Sequence, residues 1–395
     1  ALHITVYDAT LREGAQGPGS SFSLDDRLRT VELLDALGVE YIEAGQPTAG
    51  RADAESFRLL AKDPPKNSRL AAFGSTRRPG IPADKDDGLK ALLLANTPSV
   101  TLFGKCWDFH VDQVLRVSLD ENLAMIEDSV RFLKEAGREV IFDAEHFFDG
   151  CRNNEDYAFA ALLAAKNGGA DWICLCDTNG GTLPGDIARF TEKAVAELGV
   201  PVGIHCHNDS GLAVANSMAA VSAGATMVQV TLNGWGERCG NADFFTLIPN
   251  LQLKMGCDCI CPEAMPSLCS FSRDIYEMLN RPPDKRAPYV GQNAFSHKAG
   301  MHIDAVEKNP LTFEHVPPES VGATRHILLS RMSGRSAVLN KVKEIDPSST
   351  KDSPAVKEIT GLLKEMESDG YQFEGAEASF ELMVRRKLGL FKPFF

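Results

Sequence analysis

Along the first 265 residues, short apolar runs alternate with longer stretches in which apolar positions recur every three or four residues. The runs are HITVYDAT, VEYIEAG, RLAAFGS, SVTLFGK, EVIFDAEH, DWICLCDT, VGIHCHN and MVQVTLNG. Their length and apolar content predict strands. The stretches between them carry helical periodicity. In SLDDRLRTVELLDALG (23–38), Ser23 predicts the N-cap and Gly38 the stop. Such alternation implies parallel strands joined by helical crossovers. Eight units over about 260 residues predict a closed (βα)8 TIM barrel, a fold of roughly 250 residues. An open doubly wound sheet is the alternative, but no G-x-G-x-x-G follows any of the runs.

Chemistry in such barrels lies at the C-terminal ends of the strands. Those ends present Asp8 with Arg12 and Glu13, then Glu43, Lys105, Glu145, Asp177 with Thr178, His205 with His207, and Asn233. Any one of them fits a solvated loop. Ionisable groups at nearly every strand end, converging on one mouth, are more than solvation requires. Successive strand side chains point to opposite faces, so His205 and His207 point together and Cys206 points away. That spacing fits a buried structural pair as well as a metal site. Carboxylates and an arginine on the same rim favour the metal.

After about residue 265 the alternation stops. NRPPDKRAPYVGQ (280–292) reads as a Pro-rich, charged linker. It leads into a small, mostly helical subdomain expected over 280–344, with AFSHKAGMHIDAVEKNP near its start. IDPSSTKDSP reads as a second polar linker, and 354–395 opens as an amphipathic helix. The barrel itself is expected to occupy 1–265.

Composition narrows the function classes. The 395 residues are 44% hydrophobic and carry a net charge of −13, enough for one large domain with an appendage. The acidic balance argues against nucleic acid as a partner. No run of eighteen apolar residues occurs, so no membrane span is expected. The chain opens on strand alternation without a basic n-region or an apolar signal region. Ten cysteines are scattered: Cys174 and Cys176 share a strand face, and Cys257, Cys259 and Cys261 form C-x-C-x-C. Neither group has the C-x-x-C spacing of structural zinc sites, and a disulfide framework is not expected in so large a chain. Reduced thiols in a cytoplasmic protein are the expectation.

YDATLREGAQG resembles the first-strand signature of the DRE-TIM metallolyases. That group includes isopropylmalate, citramalate and homocitrate synthases and hydroxymethylglutaryl-CoA lyase. HCHNDSGLAVANS resembles its H-x-H metal strand, and NGWGERCGN (233–241) the synthase motif that closes the barrel. AFSHKAGMH is similar to the segment after the barrel that carries a catalytic histidine. FGSTRRPG, GKCWDFHV, DAEHFFDG and GYQFEGAEASFELMVRR look most like the citramalate synthase branch. In the family the last of these leads into a regulatory domain, so 354–395 is expected to be a helical segment before a domain absent here.

The resemblance implies that Glu13, His205, His207 and Asn241 bind a divalent metal: Mg, Mn, Co or Zn. Most of the family has Asp at the Glu13 position, and glutamate there is more like homocitrate synthases. It further implies an acyltransferase in which acetyl-CoA loses a methyl proton and the enolate attacks the ketone of an α-keto acid. Pyruvate is the expected keto acid. The alternatives are 2-oxoisovalerate (2-isopropylmalate synthase), 2-oxoglutarate (homocitrate synthase) and, in a different class, hydroxyacyl-CoA lysis. Arg12 would face the alkoxide developing on the ketone oxygen, with a rim salt bridge as its bland alternative.

Arg12, Asp143, Thr178 and His110 are implied for substrate binding, Thr178 having an N-cap as its alternative. Glu145 and His302 are implied for proton transfer, although a lone histidine in a helical appendage also fits a structural role. Asn233, Glu237 and Gly240 are implied for the acetyl-CoA site, where glycines permit close approach. Near VGATRHILLS, isopropylmalate synthases place a tyrosine and this chain has Arg325 and His326, so no role is assigned there. The family's appendage reaches over the partner's barrel, which implies a homodimer with shared active sites, working in branched-chain (isoleucine) biosynthesis.

Overall fold

Eight parallel strands close in chain order: β1 (Thr5–Asp8), β2 (Tyr41–Gly45), β3 (Arg69–Ser75), β4 (Ser99–Lys105), β5 (Glu139–Glu145), β6 (Trp172–Asp177), β7 (Val202–Cys206) and β8 (Met227–Val230), with β8 pairing back onto β1. The computed structural model describes residues 1–328, 335–373 and 376–391. The chain forms two units, 1–282 and 283–395.

Helices of the predicted kind connect the strands. In the helix Leu24–Leu37, the Ser23 hydroxyl accepts the Asp26 N–H and the Asp26 carboxylate accepts the Ser23 N–H. The helix stops at Gly38, whose φ of 79° suits a residue without Cβ. Such caps contribute about 1 kcal/mol.

Strand register explains where the chemistry sits. Tyr7, Tyr41, Ala71, Ile141 and Met227 meet in a buried apolar layer inside the barrel. Two residues further along β2, β3, β5 and β8, on the same strand face, come Glu43, Phe73, Asp143 and Gln229. The interior therefore changes from a dry plug to a polar layer in one pleat, at the C-terminal end. The buried plug closes the barrel from below, and the layer above it carries the ionisable groups Glu43 and Asp143.

In the second unit, β9 (Ser296–His297) and β10 (His326–Ile327) form a short parallel pair. Helices Gly300–Lys308, Arg335–Lys343, Pro354–Ser368 and Glu377–Lys387 bury Ile303, Val338, Val342, Ile359, Leu363, Phe380 and Val384 in one core. Residues on both sides of the polar IDPSSTKDSP stretch thus share that core. Among the described residues no helix is long and apolar enough to cross a membrane. All ten cysteines are free, Cys239 and Cys261 being the exposed ones.

Candidate active site

The loop after β1 curls because the Asp8 carboxylate accepts both the backbone N–H (3.0 Å) and the hydroxyl (2.9 Å) of Thr10. The N–H groups of Arg12 and Glu13 then close onto the Ala9 carbonyl at 3.2 and 2.8 Å. Both side chains are buried at the barrel mouth.

Across the mouth, the His205 and His207 rings lie 5.1 Å apart, on one side as the strand period requires. His207 Nε2 is 3.4 Å from Glu13 Oε1. One ligand atom from each of Glu13, His205 and His207 lies within 4.8 Å of the others. Asn241 bridges His207 through the backbone and donates its amide to the Trp235 carbonyl at 3.0 Å. Its Oδ1 is buried without a hydrogen-bond partner, and so is His207 Nδ1. An orphaned buried polar atom costs about 1–3 kcal/mol, which a bound cation within reach would offset.

Protonation states agree with that use. Burial pushes the His205 imidazole down, and burial with the neighbouring His205 pushes His207 down to about 3. Both are neutral and able to ligate at pH 7. Burial opposes ionisation of Glu13, but the Arg12 guanidinium together with His205 and His207 outweighs it and holds the carboxyl below its usual range. Two imidazoles, a carboxylate and an amide oxygen fit a divalent cation such as Mg, Mn, Co or Zn.

Arg12 is fixed on three sides. Its Nε donates to Glu43 Oε1 at 2.5 Å, its Nη1 pairs with Glu13, and its guanidinium lies 3.6 Å over the Phe73 ring centre. The rim salt bridge foreseen as the bland alternative is therefore present. Asp143 is pushed up to about 8, by burial and then by the charge of Glu43. Its Oδ1 accepts from Gln229 Nε2 at 2.8 Å, and Gln229 Oε1 lies 2.8 Å from His205 Nδ1.

At the end of β5, Glu145 pairs with Lys105 at 2.5 Å. The Thr178 hydroxyl accepts the His146 backbone N–H at 2.8 Å, which leaves its own proton free to donate. The Thr178 carbonyl accepts from Arg238 at 2.7 Å, and Arg238 grips Asp209 through two bonds of 2.8 and 2.9 Å. A cavity of about 290 Å³ is lined by Arg12, Glu13, Asp143, Glu145, Thr178, His205, His207 and Glu237, with Phe73, Phe103 and Cys176 among its apolar walls.

Five other predicted residues are not among that lining: Asn241, described above, and His110, Asn233, Gly240 and His302. His110 stacks on Trp107 at 5.5 Å and leans on His146 at 4.3 Å. Asn233 sits in the left-handed region (φ 55°) and its Oδ1 accepts from the Ser272 hydroxyl at 2.6 Å. Gly240 has φ 84°, and a Cβ there would meet the Gly234 carbonyl oxygen at 2.0 Å, so this turn demands glycine. In the second unit, His302 is exposed and stacks on Phe313 at 4.1 Å. Arg325 forks onto Glu314 with two bonds of 2.6 Å, and His297 Nε2 lies 3.0 Å from the same carboxylate.

Asp143, Cys174 and Cys176 form a second buried group. Burial holds the Cys176 thiol up at about 11 and raises the Cys174 thiol as well. All three would have to shed a proton to ligate, unlike the Glu13 set. Sequence reasoning overlooked Gln229, whose signal was a lone amide in the apolar strand MVQV, and His146 and Arg238, which carry no spacing signal.

The HMGL-like family model matches residues 3–263, and the homocitrate synthase post-HMGL domain-like model matches residues 289–370. The (R)-citramalate synthase of Synechocystis sp. is 51% identical over 99% of this chain and 73% of its own. That of Aquifex aeolicus is 49% identical over 100% of this chain and 75% of its own. Among solved structures, the HMG-CoA lyase of Bacillus subtilis superposes with a TM-score of 0.61 at 20% identity, covering 72% of this chain and 97% of that one. The last likeness concerns the fold alone.

Proposed function

The chain belongs to the HMGL-like family, and we infer that it is an acyltransferase that condenses acetyl-CoA with pyruvate and hydrolyses the resulting thioester with one water, to give (R)-citramalate and CoA. The observation that carries the reaction type is the convergence of Glu13, His205 and His207 beside Arg12 in one small cavity. The activity shared by the most similar relatives supports pyruvate as the keto acid.

Glu13, His205, His207 and Asn241 would hold the divalent cation, which supplies polarisation of the ketone and an anchor for the keto acid. Arg12, clamped by Glu43 and Phe73, directs its remaining N–H groups at the oxygen that gains negative charge. Its position is fixed before substrate arrives, so little reorganisation accompanies the reaction. Thr178 donates its hydroxyl proton to the keto-acid carboxylate. Protonated Asp143 adds a neutral polar wall without repelling that carboxylate. Glu145 takes the acetyl methyl proton, and His302, its partner in proton transfer, acts as base or activates the water that cleaves the resulting thioester and frees CoA. Glu237 and the loop carrying Asn233 and Gly240 shape the acetyl-CoA side, and His110 is assigned to the substrate side by the resemblance alone, its ring lying outside the cavity lining.

The finer parts of this reading are a cytoplasmic homodimer in isoleucine synthesis, with His302 contributed across subunits. Exposed Met301, Leu311 and Phe313 near His302 support an interface there.

Glu13 favours a second reading, homocitrate formation from 2-oxoglutarate. A distal carboxylate would need a cation, and both arginines lining the cavity, Arg12 and Arg238, are already held by carboxylates. CoA release from acetyl-CoA with pyruvate, 2-oxoisovalerate and 2-oxoglutarate, each with Mg, Mn, Co or Zn, tests the assignment. Pyruvate is expected to give the highest kcat/KM. A higher value for either other acid overturns it.

A further inference from the structure

His146 follows Glu145 at the end of β5 and adopts φ 56°, ψ 29°. Left-handed backbone is uncommon for a residue with Cβ, so something must hold it. The side chain is buried, and its Nδ1 lies 3.0 Å from Asp149 Oδ2. Asp149 is fixed in turn by Arg152 at 2.5 Å and by the Asn179 amide at 2.9 Å. The rings of His110 (4.3 Å) and Trp107 (5.5 Å) flank the imidazole. None of these contacts reaches the cavity, and His146 is not part of its lining.

The left-handed residue lets the chain turn from β5 into the helix that starts at Phe147 while the peptide joining Glu145 to His146 keeps its N–H on Thr178 Oγ1 at 2.8 Å, and Arg238 holds the Thr178 carbonyl at 2.7 Å. A threonine hydroxyl has one proton, and an N–H donated to its oxygen keeps that proton off the N–H side and so leaves it for the other directions, the cavity among them.

We propose that His146 is a positioning residue for the keto acid: its left-handed backbone, rather than its imidazole, orients the Thr178 hydroxyl as a donor into the cavity. The inference rests on the reading that Thr178 binds the keto-acid carboxylate. It separates backbone from side chain, because glycine and asparagine accept a left-handed conformation readily and a β-branched residue does not.

The test compares His146→Gly, His146→Asn and His146→Val, in the parent and in Thr178→Val, by calorimetric pyruvate affinity on Mn-loaded protein and by KM for each substrate. His146→Val is expected to weaken pyruvate binding roughly tenfold, as loss of a hydrogen bond to a charged group does. Its KM for acetyl-CoA should stay within about twofold. His146→Gly and His146→Asn should bind pyruvate within about threefold of the parent, which also guards against a fold-wide effect. In the Thr178→Val background the valine change should have no further effect. Pyruvate binding by His146→Val at parental strength overturns the inference, as does equal weakening by all three variants or a full additional loss in Thr178→Val. A parent that binds no keto acid would overturn the assigned function and this inference together, so the two failures are distinguishable.

Discussion

His205 and Gln229 face each other in the β7–β8 register, with the imidazole Nδ1 2.8 Å from the amide Oε1. The Gln229 NH2 is committed to Asp143 at 2.8 Å, so its carbonyl is what remains for the histidine. That arrangement puts the ring proton on Nδ1 and leaves the Nε2 lone pair for the cavity. One amide thus connects the substrate wall to the proposed cation site and fixes the tautomer of a ligand.

Replacing Gln229 with leucine keeps the volume and removes the acceptor. Outer partners of ligating histidines are worth roughly 10- to 100-fold in metal affinity, and Gln229→Leu is expected to lose an amount in that range. Titration calorimetry of the metal-stripped protein with Mn2+ reads it directly. An affinity within about threefold of the parent would show that the bond does not govern ligation.

Arg12→Lys is expected to keep the metal and lose most of the rate. Lysine retains the charge but cannot serve Glu43, Glu13 and substrate from one planar fork, nor lie flat on Phe73. Losing a donor to developing charge costs on the order of 100- to 1,000-fold in turnover. Turnover within about threefold of the parent, with metal content unchanged, would remove Arg12 from that role.

The barrel was legible because its signal is periodic: eight apolar runs separated by helical stretches, with Ser23 and Gly38 marking helix ends where the structure has them. The histidine pair was legible for the same reason, since period two puts both rings on one side. Contacts without a period were not. Arg325 had no assigned role, yet it grips Glu314 eleven residues away across an irregular segment. Asn233 was placed at the mouth by counting strand ends. A left-handed backbone there commits its amide to Ser272, and nothing in the spacing announces such a turn. His146 hid for a similar reason: its contribution lies in a backbone angle.

Asp8 makes stability depend on pH in an unusual direction. Burial, opposed by the Thr10 hydrogen bonds, raises its carboxyl to about 7. The folded state therefore holds the proton more tightly than the unfolded chain. The stability it contributes is complete below the unfolded value near 4 and is lost as pH rises through about 7. The shift corresponds to at most about 4 kcal/mol. Asp8→Asn has no such titration, so its stability relative to the parent should climb between pH 5 and pH 8. Urea unfolding of both proteins in chelator at the two pH values checks this. A parent-to-variant difference that stays constant contradicts the assignment.

Glu314 in the second unit titrates with the opposite sign. The Arg325 fork, outweighing burial, holds its carboxyl below the usual range, and His297 shares the same Oε1. The stability it provides is present at neutral pH and is lost as pH falls through its lowered folded value. Glu314→Gln offers one carbonyl where two oxygens were used and turns an NH2 toward a guanidinium. Removing such a charged partner costs roughly 2–3 kcal/mol. The loss should appear where the pair is anchored, in β9 and β10, whose ladder includes the Leu328 N–H to the His297 carbonyl at 2.9 Å. Hydrogen exchange of the full chain at pH 7 is expected to accelerate at least about tenfold in peptides covering residues 295–298 and 326–328, with the barrel strands unchanged. Equal exchange in parent and variant would mean that the ion pair forms without holding the strand pair together.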